Sequence, residues 1–370
     1  MIHHKYFHQY SQMSAHFIKI PVKEVRKETE DCVSIAFDIP GELKEAFLYS
    51  QGQNITVRMF HEGEEIRRSY SLCSAPFENE FRVAIKKTEG GIFSVYANER
   101  LRAGDELELM PPSGRFFTPI DPAREGRYVF FAAGSGITPV ISIIKTILRS
   151  EPGSECTLVF GNRTRQSIIF REEIEGLKNR YMNRFRVIHV LSRERTDYDI
   201  NAGRIDDTKL EQLSKLIDFN HVDEAFICGP ETLIFTVRDF LEAHGVNKKN
   251  IHFELFTTPG QRQSTAKKTE SAVETGPRSH VTIRLDGRSI DFDLSFSGDS
   301  ILDAALRQGA DLPYACKGGV CCTCRAKLVE GEVNMDVNYS LEQDEIEAGF
   351  ILTCQSHPVT ERIVIDYDIK

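Results

Sequence analysis

The sequence predicts a multidomain chain in three parts: an antiparallel β-barrel, an α/β domain on a parallel sheet, and a small α+β domain at the C-terminus. Three observations carry that prediction. Short alternating apolar runs fill residues 16–119, and continuous apolar strands alternate with helical stretches over 120–256. A polar segment, 257–279, then sets both apart from a cysteine-rich region, 280–370. A length of 370 residues suits two or three domains at about 100–200 residues each.

The N-terminus, Met1-Ile-His-His-Lys-Tyr-Phe, lacks the apolar core of a signal peptide. His3, His4 and His8 read as a solvated tail, and Met13 is an alternative start. The barrel prediction rests on runs such as Val33–Phe37, Asn54–Arg58 and Phe81–Lys86, spaced by turn residues. Arg68-Ser-Tyr70-Ser71 closes one such strand. A cation for phosphate, an aromatic ring for an isoalloxazine face and a hydroxyl for its polar edge together suit a flavin. An exposed strand end would carry the same residues. Gly90-Gly91-Ile-Phe-Ser94 follows the next strand and opens a short helix, a ready site for a diphosphate.

From Gly126 the rhythm changes. Tyr128–Ala133 is a continuous apolar strand, followed by a glycine turn and the apolar helix Val140–Leu148. Thr157–Phe160, Phe185–Leu191 and Glu224–Cys228 repeat the strand signal, as in a parallel sheet covered by helices. Gly134-Ser-Gly136-Ile-Thr138-Pro139 joins the first strand to its helix. Its glycines let a dinucleotide approach the helix N-terminus, although Pro139 stands where the full fingerprint has a third glycine. Ser192-Arg193 at a later strand end suits a 2′-phosphate, while Glu194 keeps NADH open. Cys228-Gly229-Pro230 ends the last clear strand, so Cys228 lies either against a nicotinamide or in the core as a strand-end cysteine.

Residues 257–279 hold almost no large apolar side chain and read as a flexible linker. A coil of that length spans roughly 25–30 Å, enough for a small domain to swing between partners. Beyond it stand Cys316, Cys321, Cys324 and, about thirty residues on, Cys354. The spacing C-x4-C-x2-C with a distant fourth cysteine is the plant-type [2Fe–2S] pattern, a one-electron carrier. Gly318 and Gly319 let backbone fold tightly around such a cluster. Zinc would take two separated C-x2-C knuckles or a Cys/His set, and Cys321/Cys324 form one knuckle alone. Cys322 falls off the ligand register and reads as a small buried residue.

Nine cysteines without an export signal point to a reducing compartment, read as the cytoplasm. No apolar run is long enough to span a bilayer. The net charge is −9, and residues 280–370 hold 16 acidic against 8 basic side chains. The rest of the chain is nearly neutral, which argues against nucleic-acid binding. The acidic C-terminal part suits steering toward a basic docking face, and equally serves solubility.

In this order the motifs between residues 17 and 256 resemble the ferredoxin–NADP reductase superfamily. The resemblance assigns flavin binding to Arg68, Tyr70, Ser71, Gly91 and Ser94, with Gly90 read from the same glycine turn. It assigns nicotinamide dinucleotide binding to Gly136, Thr138, Cys228 and Gly229, beside Gly134 of the same turn and the Ser192-Arg193 pair read from their residue types. Ile251-His-Phe-Glu254-Leu-Phe256 resembles the family's closing E-x-F element beside the flavin, although Phe256 here leads into the linker. Ser71, Cys228 and Glu254 are thereby the candidate catalytic residues. Barrel, nucleotide domain and a C-terminal ferredoxin of β-grasp fold, in that order, are similar to reductase components of multicomponent oxygenases. Those of ring-epoxidising and ketosteroid-hydroxylating enzymes use FAD and NADPH, and the phthalate dioxygenase type shares the order with FMN and NADH. The resemblance implies hydride transfer from NADPH to FAD and single-electron transfer through the cluster to an oxygenase or epoxidase protein. The rivals are a diaphorase-type reductase serving a hybrid-cluster protein and a non-catalytic redox sensor.

Overall fold

The computed structural model describes residues 17–256 and 277–369. His3, His4, His8, Met13 and linker residues 257–276 lie outside the described residues. The described residues divide into two compact units, one essentially residues 18–256 and the other built on residues 277–369.

The first unit begins with β1 (Ile18–Thr29), β2 (Cys32–Phe37), β3 (Asn54–His61), β4 (Glu64–Ser71) and β5 (Phe81–Lys86). Helix α1 (Ile92–Glu99) and β6 (Glu106–Leu109) complete the barrel. These strands form one sheet in the order β4-β3-β6-β1-β2-β5. The β1–β2, β1–β6, β2–β5 and β3–β6 pairings are antiparallel. A bridge between Leu72 and Val83 joins the two outer strands and closes the sheet on itself. Closure removes the exposed edges an open sheet would leave.

Alternation in β2 is obscured because both faces are covered. Val33, Ile35 and Phe37 enter the barrel core with Ile55, Leu72 and Val83. Cys32, on the other face, joins the core of the nucleotide domain. Ser34 is buried too, and donates to Glu28 at 2.6 Å.

The second half of this unit runs β7 (Arg127–Ala133), α2 (Ile137–Ser150), β8 (Glu155–Asn162), α3 (Arg171–Arg180) and β9 (Phe185–Leu191). It continues with α4 (Asp207–Leu213), β10 (Glu224–Gly229), α5 (Glu231–Ala243) and β11 (Ile251–Leu255). The strands pair in the order β11-β10-β7-β8-β9, every pairing parallel. Helix α2 is buried from Ile137 to Leu148 because sheet and barrel cover it on opposite sides. Its one buried cation, Lys145, is held by Glu78 of the barrel at 2.7 Å and by Glu173 of α3 at 2.8 Å. A buried charge is tolerated when paired in this way.

The C-terminal unit comprises β12 (Arg278–Leu285), β13 (Arg288–Ser295), α6 (Ile301–Arg307) and β14 (Arg325–Glu330). It ends with β15 (Val333–Met335), α7 (Gln343–Glu347), β16 (Phe350–Leu352), β17 (Ser356–Pro358) and β18 (Arg362–Asp366). The order β13-β12-β18-β14-β16 mixes one parallel pairing, β12–β18, with antiparallel ones. Strand β12 starts at Arg278, inside the stretch read from sequence as linker. Ser279 is fully buried there and pairs with Leu294, so a polar composition conceals the first residues of a strand.

Candidate functional site

Parallel strands end at one rim, where backbone groups are no longer consumed by the ladder and can meet a ligand. The first such element is the turn Gly134–Gly136, which leads from β7 into α2. A Cβ placed on Gly136 would lie 2.1 Å from the Cys228 carbonyl oxygen, so only glycine lets the turn pack on β10. Gly134 has φ +55°, the left-handed region glycine enters without strain. No side chain caps α2; the Ile137 N–H bonds back to the Gly134 carbonyl and Pro139 carries no N–H, so few amides at the helix start are left for an anion.

Thr138 is buried, and its hydroxyl donates back to the Ser135 carbonyl at 3.0 Å. It shapes the turn rather than presenting a hydroxyl outward. Ser94 behaves alike: its hydroxyl accepts from the Thr88 N–H and donates to the Gly91 carbonyl, both at 3.1 Å. Gly91 has no room for a Cβ, which would fall 2.4 Å from the Ser94 hydroxyl, and Gly90 has φ +70°. Helix α1 also starts without a side-chain cap.

The candidate catalytic residues converge. Cys228 of β10 pairs in register with Glu254 of β11 on one side and Ala132 of β7 on the other. From the barrel, the Ser71 hydroxyl donates to a Glu254 carboxylate oxygen at 3.2 Å. Burial, with the Glu254 charge adding to it, pushes the Cys228 thiol well above its ordinary value. A fully buried neutral thiol packs and excludes water; it is not a nucleophile. The Tyr70 ring lies 5.6 Å from that of Phe93, which seats it on α1. Arg68, on the same strand as Tyr70, donates to the Arg67 carbonyl at 2.7 Å. Gly229 ends β10, and Phe256 bonds back to its carbonyl at 3.1 Å.

At the end of β9, Ser192 and Arg193 are exposed, their amides fixed by the Asn162 and Arg163 carbonyls at 2.9 Å. Among the described residues no hydrogen bond or ion pair engages the Arg193 guanidinium. Glu194 is engaged: it accepts from the Arg165 N–H at 2.7 Å and pairs with its side chain at 3.1 Å. Sequence reasoning passed over Lys86, the last residue of β5, whose ammonium would lie 3.9 Å from a Cβ on Gly134. A lysine closing a strand just before a glycine turn was the available signal. A cavity of about 600 Å³ lies elsewhere, and none of the predicted site residues line it. Its walls carry balanced, mutually paired charges such as Lys145–Glu78 and Arg82–Glu80, so it is a solvated seam.

In the C-terminal unit, Cys316, Cys321 and Cys324 occupy the loop between α6 and β14, and Cys354 the turn between β16 and β17. The Cys321 thiol donates to the Cys316 sulfur at 3.1 Å. That bond, against the opposing effect of burial, brings Cys316 down to about 7. A hydrogen bond from Cys324 likewise lowers Cys354. The four thiols therefore stand as two pairs, Cys316 with Cys321 and Cys324 with Cys354. Among the described residues no three Cys, His, Asp or Glu side chains converge as they would around one ion. Two thiols for each of two irons is the arrangement a [2Fe–2S] cluster takes.

The surrounding backbone fits the same group. Gly319 has φ +70° and packs with its would-be Cβ 3.0 Å from Val337, while the Gly318 N–H points at the Cys316 sulfur from 3.3 Å. The buried Thr323 hydroxyl has no partner of good geometry, and the Cys321 sulfur is the acceptor within its reach. Cys322 turns away: its thiol donates to the Ser340 carbonyl at 3.1 Å, and burial raises it to about 12.

Comparison with known proteins gives three family matches. Residues 19–117 match the oxidoreductase FAD-binding domain, 130–239 the oxidoreductase NAD-binding domain, and 283–359 the 2Fe-2S iron-sulfur cluster binding domain. The chain is 47% identical to a subunit of the 1,2-phenylacetyl-CoA epoxidase of Escherichia coli K12, covering 96% of this chain and 98% of that one. It is 34% identical to the ferredoxin reductase component of 3-ketosteroid-9-alpha-monooxygenase from Rhodococcus rhodochrous, over 94% and 96% of the two chains. Among solved structures, phthalate dioxygenase reductase shares the fold at TM-score 0.56 and 24% identity, over 95% of this chain and 98% of that one. A type IV self-sufficient cytochrome P450 monooxygenase reaches TM-score 0.67 at 22% identity; 94% of this chain is covered and spans 41% of that one.

Proposed function

Since the chain belongs to the FAD- and NAD-binding oxidoreductases with a 2Fe-2S domain that include oxygenase reductase components, we propose phenylacetyl-CoA epoxidase, in phenylacetate catabolism, as its electron acceptor. The protein is an NAD(P)H-dependent electron-transfer reductase, working through FAD and a [2Fe–2S] cluster toward an oxygenase component. When bound, the flavin and cluster together turn a two-electron hydride into single electrons. The observation that carries the reading is the two-and-two thiol arrangement, in one chain with a flavin- and nucleotide-binding unit.

The chain's own residues do the rest. The uncapped N–H groups beside Gly91 and Gly136 hold the phosphates of flavin and dinucleotide. Tyr70, seated on Phe93, packs on the flavin ring. Ser71 and Glu254 hold a proton at the flavin edge through their shared hydrogen bond. Cys228 closes the nicotinamide side with an unreactive, water-excluding surface. Arg193 and Ser192 take the 2′-phosphate, which makes NADPH the preferred donor; the bonds from Arg165 occupy Glu194, the residue that would favour NADH.

No helix among the described residues is long and apolar enough to cross a membrane. The described cysteines are all unpaired as disulfides, which supports work in the reducing cytoplasm. Anaerobic titration with NADPH should bleach the flavin and cluster bands together. Addition of the phenylacetyl-CoA epoxidase oxygenase component should then restore both. A cluster that stays oxidised overturns the internal transfer. Reoxidation only by a ketosteroid or aromatic-ring oxygenase, or by a hybrid-cluster protein, moves the protein to that acceptor.

A further inference from the structure

The residue after the fourth thiol is buried and polar. Gln355 is 9% exposed, and its backbone is fixed on both sides: its N–H donates to Leu352, and its carbonyl accepts from the Asp336 N–H, both at 2.9 Å. Its carboxamide nitrogen faces three acceptors. They are the Lys317 carbonyl at 3.1 Å, the Cys354 carbonyl at 2.8 Å and the Cys354 sulfur at 3.5 Å. An amide has two N–H groups, so one reaches Lys317 and the other is shared between the two Cys354 atoms.

The contact to Lys317 is long-range. Lys317 follows Cys316 at the start of the cysteine loop and has φ +50°, a conformation a lysine adopts only when its surroundings hold it. Two residues on, the space a Gly319 Cβ would need is taken by the Gln355 Cγ at 3.2 Å. One side chain thus touches the segment of each thiol pair. Hydrogen bonds to cluster sulfurs are among the means by which a protein sets a cluster's potential.

We propose that Gln355 is a positioning residue for the [2Fe–2S] cluster, fixing the Cys354 sulfur relative to the Cys316 loop and raising the cluster potential through an N–H···S bond. The inference rests on the cluster reading given above. Withdrawing charge from a ligand sulfur favours the reduced cluster, so loss of the N–H must make reduction harder. Outer-sphere partners of metal ligands commonly matter at this level.

The test uses the full-length holoprotein and Gln355→Leu and Gln355→Glu, neither of which has an amide donor. Anaerobic redox titration followed by EPR of the reduced cluster should show both variants shifted to more negative potential. The expected displacement is roughly three- to tenfold in the one-electron equilibrium, up to about 59 mV. Their EPR g-values should differ from those of the parent. Unchanged potential and spectrum in cluster-loaded variants overturn the proposal. If both variants fail to load a cluster, the parent decides: side-chain amide 15N-glutamine labelling should add a 15N hyperfine coupling in pulsed EPR, and its absence overturns the proposal. A parent with no iron–sulfur signal at all overturns the cluster reading itself, which is a separate outcome.

Discussion

The rim of the parallel sheet and the cysteine loop dispose of their polar groups in opposite ways. At the rim, and in the barrel at Ser94 and Ser71, hydroxyls that sequence motifs present as ligand contacts are consumed internally. Thr138 bonds to Ser135, Ser94 bonds to Thr88 and Gly91, and Ser71 bonds to Glu254. The few free backbone amides are left for the ligand. In the cysteine loop the Thr323 hydroxyl stays buried and without a well-formed partner, and the thiols lean on one another. The first region spends its hydroxyls on its own backbone and carboxylate. The second gathers sulfurs and a hydroxyl together, the donor set a [2Fe–2S] cluster takes.

Four substitutions or conditions test that contrast. The largest effect belongs to the loop: Cys354→Ser should abolish the cluster's visible and EPR signals. Transfer to a one-electron acceptor should fall at least ~100-fold, beyond the range seen for outer-sphere changes, while stopped-flow flavin reduction by NADPH persists. Loss of flavin reduction as well would mean the two regions are not separable.

Next comes the rim. Gly136→Val drives a side chain into the Cys228 carbonyl, 2.1 Å from the would-be Cβ. An overpacked site of this kind costs about 1–3 kcal/mol. At roughly 2–4 °C per kcal/mol for a unit of this size, thermal denaturation should register the loss. NADPH KM should rise with it, while the cluster EPR signal stays as in the parent.

Arg193→Ala removes one charged contact, worth about 1.5–3 kcal/mol. NADPH KM should rise about 10- to 100-fold with NADH kinetics unchanged; equal loss for both donors would place the 2′-phosphate elsewhere.

The smallest effect is acid sensitivity. Burial opposes the Glu224 carboxylate, but hydrogen bonds from His252 at 3.2 Å and Thr118 at 2.9 Å, with the Arg124 charge, bring it below its ordinary value. A depressed folded-state value means stability present above about pH 4.5 and lost as pH falls through the folded value. For a partly solvated carboxylate the loss is about 1 kcal/mol or less. Glu224→Gln should flatten the melting-temperature profile below pH 4.5 without altering cluster spectra. An unchanged acid limb would remove Glu224 from the account.

Much of this was legible in the chain. The strand runs at Phe81–Lys86 and Phe185–Leu191 coincide with β5 and β9, because apolar period and length suffice for buried strands. The four candidate ligand cysteines stand out by spacing alone. Their pairing does not, nor does the bond from Ser71 to Glu254, which joins residues 183 positions apart. Such contacts depend on the closure of a barrel and the register of a sheet. Thr138 and Ser94 show a further limit: a motif fixes which residue stands in a turn, and the turn's own unsatisfied carbonyls decide where its hydroxyl goes.

The 3.1 Å contact between the Cys321 and Cys316 sulfurs has a practical consequence for handling the protein. Two thiols held that close, one of them brought down to about 7, are set to oxidise to a disulfide whenever the irons are missing. Apoprotein exposed to air would be sealed against metal. Reconstitution therefore calls for a thiol reductant before iron and sulfide, and preparations stored aerobically should lose loading capacity faster than they unfold.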